Sequence, residues 1–236
     1  MLTRRAFCSC ALGAVAFTAT EAAAEVSACS VFTPQRQQAL SPDDALALLK
    51  AGNERFVSGQ TINCDLLKQV HETAENQSPF AAIVGCIDSR VPPELVFDQR
   101  LGDVFCARVA GNFANIDILG SLEFATQVAG ARAIVVLGHN SCGAVKAAID
   151  GVEAGNITAM LENIRPALSV FDRFEKPWDS SNEKLLQGVA EENVRLTARS
   201  ITERSSIIRT LVESGTVAIA TAMHDLSSGK VSWLDA

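Results

Sequence analysis

Cys86-Ile87-Asp88-Ser89-Arg90 and His139-Asn140-Ser141-Cys142 are the two stretches of this chain whose residue types could do chemistry together. Two thiolates, an imidazole and a carboxylate make a complete tetrahedral donor set for zinc. Two soft sulfurs argue against magnesium and calcium, and copper(II) in a square plane prefers nitrogen and oxygen. Any one of the four alone reads as an ordinary residue, a small buried cysteine at a strand end or a histidine satisfying a loop carbonyl. Spaced as C-x-D-x-R and H-x-x-C, they point together to one metal site.

That site exists only if the two stretches meet. Each closes an apolar run, residues 79–85 before the first and 133–138 before the second. Short runs rich in Ile and Val and bounded by Gly and Pro read as buried strands of a parallel sheet. In an open α/β sheet, ligands gather beyond the carboxyl ends of adjacent strands, near the point where strand order reverses. Neighbouring strands would therefore bring Cys86, Asp88, His139 and Cys142 into one small volume.

With these residues in view, the chain resembles the β-class carbonic anhydrases. The resemblance is carried by Cys86-x-Asp88-Ser89-Arg90-Val91-x-Pro93, Gly102-Asp103-x-Phe105, Arg108-x-Ala110-Gly111-Asn112, Ser121-Leu122-Glu123-Phe124-Ala125 and Gly138-His139-x-x-Cys142-Gly143-Ala144, in that order, and runs from about Leu40 to Trp233. It implies a zinc lyase that hydrates CO2 to bicarbonate and a proton by attack of a zinc-bound hydroxide, assembled as a homodimer or dimer of dimers. It also implies that Phe105 and Val91 line a small apolar CO2 pocket, that Gly143 borders the metal, and that Gln77 supplies a hydrogen bond across the dimer interface. Plain core packing is the alternative for Phe105 and Val91, and a surface position for Gln77. Arg108-Val109 replaces the family's common Arg-Asn pair, and Met223-His224-Asp225 lacks its aromatic residue. These departures do not support a second, non-catalytic bicarbonate site.

Asp88 decides what the metal can do. As a ligand it closes the shell; paired to Arg90 in a bidentate bridge it leaves a position for water. Both states occur in the resembled family, the paired one active and the ligated one inactive. Two thiolates cancel the ion's charge, so its water is expected to be less acidic than the ~7 found with three neutral imidazoles. The rival readings are a non-catalytic zinc or bicarbonate sensor with Asp88 fixed on the metal, and hydrolysis of a sulfur analogue such as COS or CS2. Neither a Gly-rich phosphate loop nor a C-x-x-C redox pair is present. His71 and His224, candidate proton shuttles by pKa, read better as surface or cap residues.

Composition sets the frame. The 236 residues, 48% hydrophobic and 20% charged, suit one α/β domain with a substantial core, and a formal charge of −7 speaks against nucleic-acid binding. Thr3-Arg4-Arg5-Ala6-Phe7, an uncharged stretch to Thr20 and Ala22-Ala23-Ala24 read as a secretory leader over 1–24, similar to a twin-arginine signal, with the catalytic domain over 25–236. Losing Arg4, Arg5 and Glu21 removes a net +1 and leaves a mature charge of −8, unsuited to anionic membranes, in the periplasm or outside the cell. Val26-Ser27-Ala28-Cys29 resembles a lipoprotein box but is separated from the apolar run by Glu21 and Glu25. Of the seven cysteines, two lie in the leader; Cys106 reads as a small buried hydrophobe, and Cys29 and Cys64 could pair in an oxidising compartment.

The remaining elements follow from pattern. Residues 25–40 read as a loose polar arm. Ser41-Pro42-Asp43-Asp44 starts a helix through Leu46, Leu49, Asn53 and Phe56 that stops near Gly59. Pro92-Pro93 opens a helical turn, residues 104–108 form a second strand, 117–128 a helix, and Gly143 to Ile149 a helix with Cys142 at its start. Residues 151–182 read as irregular to weakly helical, 183–212 as one or two helices, and 216–223 as a fourth strand. A turn at 227–230 leads into a short antiparallel edge strand over 231–234. The expected fold is α/β, a mostly parallel sheet of four strands plus an antiparallel edge strand, flanked by helices.

Overall fold

A computed structural model describes residues 28–235. The proposed leader over 1–24 lies outside the described residues. The elements are α1 (Pro34–Gln38), α2 (Pro42–Val57), α3 (Leu66–Thr73), β1 (Ala81–Gly85), α4 (Pro93–Val96), β2 (Val104–Arg108), α5 (Ile116–Glu123), β3 (Ala133–His139), α6 (Gly143–Ile149), α7 (Gly155–Leu161), α8 (Glu183–Arg204), α9 (Ser206–Glu213), β4 (Ala218–His224) and β5 (Val231–Leu234). A π-helical turn, Phe124–Val128, extends α5, and a 3₁₀ segment, Arg165–Arg173, precedes α8.

The sheet has the order β2-β1-β3-β4-β5, with every pair parallel except β4 and β5. The chain steps from β1 outward to β2 and then returns to the other side of β1 with β3, so strand order reverses between β1 and β3. That crevice is where an open α/β sheet binds its ligands. Alternation along the strands divides the interior into two apolar layers. Val84, Ile134 and Val136 pack with Val189 and Val194 of α8, while Ile83, Val135 and Leu137 pack with Leu49 of α2 and Phe97.

α2 begins as its sequence dictates. The Ser41 hydroxyl accepts from the Asp44 amide at 3.1 Å and the Asp44 carboxylate accepts from the Ser41 amide at 3.3 Å, closing a capping box before Pro42. The helix lies close against α4, since a side chain at Gly52 would strike the Phe97 carbonyl. Asn53, on the buried face, donates to the Val96 and Gly229 carbonyls and accepts from the Val231 amide, which ties α2 to β5.

Two readings need correction. The arm is not loose over 28–40. Phe32 stacks on Phe80 with ring centroids 4.9 Å apart, and buried Gln37 donates to the Pro79 and Ala129 carbonyls, so apolar burial and satisfied amide donors order a segment that composition alone marks as irregular. Helix α3 has no counterpart in the sequence reading. It is capped by Asp65, whose carboxylate accepts from the Lys68 amide, and it leaves Leu66 and Leu67 exposed. Cys29 and Cys64 form a disulfide that fastens the arm to the approach to α3.

A cross-link spanning 35 residues restricts the unfolded chain, a contribution of about 2–4 kcal/mol in the chain-entropy description. The double variant Cys29→Ser, Cys64→Ser should unfold at a midpoint lower by roughly 5–15 °C for a domain of this size. Calorimetry checks the shift, and two free thiols in mass spectra of the unreduced protein would show that the bond does not form.

Candidate metal centre

Cys86 follows the last residue of β1, and His139 is the last residue of β3. In the β1–β3 ladder Gly85 pairs with Leu137, so both residues leave the sheet at the same edge, across the reversal point. Three residues later Cys142 caps α6. Ser141 takes a positive φ of 54°, and this left-handed turn brings Cys142 back toward His139. Cys86 Sγ and Cys142 Sγ stand 4.0 Å apart, and with His139 they present three donor atoms within 4.8 Å of one another, all buried.

His139 is set for one task. Its Nδ1 lies 2.9 Å from the Asn140 carbonyl, which holds the proton on that nitrogen and leaves the Nε2 lone pair free. Nε2 is buried and has no hydrogen-bond partner. An orphaned imidazole nitrogen aimed at two sulfurs is the arrangement a soft or borderline cation satisfies, and two sulfurs with one nitrogen fit zinc.

The sulfurs say the same. Cys86 is held well below the ordinary thiol range, chiefly by the hydrogen bond from Cys142, with further help from the adjoining His139 imidazole and from the Gly111 amide, which donates at 3.4 Å; burial opposes. Cys142 is pushed up, first by that same hydrogen bond and then by burial, although the amides of Val145 and Ala144 at the start of α6 pull the other way. A helix start by itself favours a thiolate at Cys142. Two sulfurs this close cannot both ionise without a cation between them, so the charge settles on Cys86.

Asp88 stands beside this set rather than in it. Arg90 Nε donates to Oδ1 at 2.9 Å and Nη2 to Oδ2 at 2.8 Å, and the Arg90 amide adds a third bond at 3.0 Å to Oδ1. These bonds hold the Asp88 carboxyl well below the usual carboxylate range. Its Oδ2 remains 3.9 Å from His139 Nε2.

The other site candidates are scattered. Phe105 is half-buried and lines a groove at the free edge of β2 with Ile116 and Phe124. Val91 is fully buried in the layer containing Ile83 and Phe97. Gly143 is exposed, with open space where a side chain would stand. Gln77 is exposed before the amino end of β1, the end opposite the metal donors. His71 is exposed, while His224 is buried beside His139 in the β3–β4 ladder with neither ring nitrogen bonded. Burial therefore corrects the surface reading of His224.

A parallel sheet with a Cys-His-Cys centre at its switch point defines the class as a metalloenzyme of the α/β type. The family model for carbonic anhydrase matches residues 81–231. Carbonic anhydrase 2 of Mycobacterium tuberculosis is 35% identical over 204 residues, covering 80% of this chain and 91% of that protein, and the carbonic anhydrase of Mycolicibacterium smegmatis is 34% identical, covering 81% and 92%. Among solved structures, the Coccomyxa β-carbonic anhydrase in complex with acetazolamide superposes with a TM-score of 0.65 at 23% identity, covering 80% of this chain and 85% of that one. This chain belongs to the β-class carbonic anhydrase family.

Removal of a donor should release the metal. Cys86→Ser and His139→Ala are expected to bind zinc at least ~100-fold more weakly, beyond the loss usual for outer-shell changes. Asp88→Asn should keep a full equivalent. Elemental analysis after dialysis against a weak chelator distinguishes the two groups, and zinc retained by His139→Ala would count against this donor set.

Proposed function

We propose that this chain hydrates CO2 reversibly to bicarbonate and a proton, with zinc held by Cys86, His139 and Cys142 and the fourth position open to solvent. The observation that carries this reading is the bidentate bridge from Arg90, which occupies the carboxylate that, among the described residues, stands beside the donors. Zinc, when bound, supplies the Lewis acidity that turns water into a nucleophile near neutral pH. Asp88 supplies the aim. As an ionised carboxylate beside the donors it can only accept a hydrogen bond, so Oδ2 would accept one from the nucleophile and orient its lone pair toward the carbon of CO2. Phe105 and Gly143 would border the apolar approach.

The charge on Asp88 persists across the working range. A carboxyl whose folded pKa is depressed keeps its partner at every pH above that value and loses it only as pH falls through it. The pH dependence of turnover therefore belongs to the nucleophile, whose ionisation two thiolates oppose. Stopped-flow hydration should show kcat/KM rising from pH 7 to 9, and Asp88→Asn should lower it roughly 10²–10⁴-fold with zinc retained. A flat profile, or an active Asp88→Asn protein, would contradict this account.

Export and pairing belong to the same proposal. The Arg4-Arg5 leader supports transport across a bacterial inner membrane, and the Cys29–Cys64 bond suits an oxidising periplasm. A homodimer is supported by the unpaired edge of β2 beside exposed Ile116, Phe124 and Val128, an edge that invites another strand. Gln77, at the far end of its own β1, would reach a metal centre only from a second copy. Related fungal β-carbonic anhydrases from Sordaria macrospora are described as tetrameric. Protein expressed from the full sequence should be recovered from the periplasm, start near Glu25 and scatter light as at least two chains. An uncleaved cytoplasmic product, or a fully active monomer, would overturn the corresponding half.

A further inference from the structure

Arg108 ends β2, where its Cα pairs in register with that of Gly85. Its guanidinium reaches across the end of β1. Nε donates to the Cys86 carbonyl at 2.8 Å and Nη2 donates to the Asp88 carbonyl at 2.7 Å. Among the described residues no carboxylate lies within ion-pair distance of it. A half-buried cation is therefore given over to two peptide carbonyls on either side of Ile87. A planar fork can hold both at once, which a lysine's single ammonium does poorly.

Beside Arg108, the segment has the Val91 amide on the Asp88 carbonyl at 3.0 Å and the Asp88 amide toward the Cys86 sulfur. Ile87 is 59% exposed and contributes little packing, and the Arg90 side chain that holds the Asp88 carboxylate is 60% exposed, so that bridge is screened by solvent. Asp88 is thus held at two points by two arginines, at its carboxylate from the solvent side and at its backbone from within the fold. With Oδ2 only 3.9 Å from His139 Nε2, a modest rotation of the backbone between Cys86 and Asp88 would carry the carboxylate into the donor set.

We infer that Arg108 is a positioning residue for hydration: it fixes the backbone between Cys86 and Asp88 so that the carboxylate stays on Arg90 and off the metal. The inference rests on the open fourth position proposed above. Without the clamp, Asp88 becomes a fourth ligand and excludes exogenous ligands from the ion, while Cys86, His139 and Cys142 still hold it.

The test is anion binding rather than turnover. Protein loaded with cobalt(II) is titrated with sodium azide and followed by visible absorption, in the parent, Arg108→Met, Arg108→Lys, Asp88→Asn and the double variant Arg108→Met, Asp88→Asn. Azide should bind Arg108→Met at least tenfold more weakly than the parent, with Arg108→Lys between them. Adding Asp88→Asn should restore the affinity of the Asp88→Asn single variant, because the blocking carboxylate is gone. Equal azide affinity in Arg108→Met and parent, or a loss that Asp88→Asn does not relieve, overturns the inference; the second result would mean that Arg108 only shapes the cobalt site. A parent protein that refuses azide would instead overturn the open position itself. Should Arg108→Met fail to hold cobalt, Arg108→Lys with and without Asp88→Asn makes the same comparison.

Discussion

Two sulfurs 4.0 Å apart and an imidazole nitrogen without a partner, all out of contact with water, form an arrangement that is electrostatically incomplete without a cation. Left alone, the pair keeps a proton it would lose to zinc, and His139 Nε2 keeps an unmet lone pair. Buried polar groups are satisfied almost everywhere in folded proteins, so an unmet imidazole nitrogen beside two buried sulfurs marks what the site is built to receive. Much else in the molecule serves to hold these atoms together. The parallel order places β1 and β3 side by side, the turn at Ser141 returns Cys142, and the Gly111 amide faces the Cys86 sulfur. The loop that offers this amide is itself held, since Asn193 of α8 donates to the Gly111 carbonyl at 2.7 Å.

Asp88 is where the site is undecided by composition and decided by geometry. The same carboxylate can serve as a ligand or as a hydrogen-bond acceptor, and the difference is a displacement of a few ångströms. Its three bonds from Arg90 favour the acceptor. Those bonds are exposed and would contribute little alone. They gain force because the backbone on which Asp88 rides is held from inside the fold by Arg108. A sensor with its carboxylate locked on the metal would have no use for such a paired clamp, whereas an enzyme that must keep one position open has.

The sequence was most readable where a single physical rule dominates. Apolar runs ending in Gly or His gave β1 and β3, and the C-x-D-x-R and H-x-x-C spacings gave the donors, because burial and metal chemistry both select residue types. It was least readable where the partner is backbone. Gln37 anchors the arm through the Pro79 and Ala129 carbonyls, and Arg108 grips two carbonyls of the metal loop; every residue has a carbonyl, so no pattern of side chains announces either. Helix α3 was missed for a different reason. Its apolar residues Leu66 and Leu67 face solvent in the single chain and leave no buried stripe to detect. His224 reads as a surface or cap residue because its burial comes from being the last residue of β4 beside His139, a matter of strand neighbours that local sequence does not carry.

The two uses of cysteine raise a problem that the fold answers by separation. Export as proposed above would leave a mature chain of five cysteines that must form one disulfide and keep two other thiols reduced until metal takes them. Cys29 and Cys64 lie on the arm and on the approach to α3, where the chain's outer layer can close a loop without disturbing the sheet. Cys86 and Cys142 sit at the carboxyl end of the sheet, 4% and 1% exposed, each fixed by its own strand or helix end. Thiol–disulfide exchange needs a thiolate to reach sulfur in line, and burial denies small oxidants and the Cys29–Cys64 bond alike that approach. The proposed twin-arginine route would add order in time to this order in space, because a chain that folds before export would meet zinc in a reducing compartment and disulfide-forming conditions only afterward. On that proposal the leader, the disulfide and the buried dithiol would form one consistent design, in which the reactive sulfurs are committed to metal before anything oxidising can reach them.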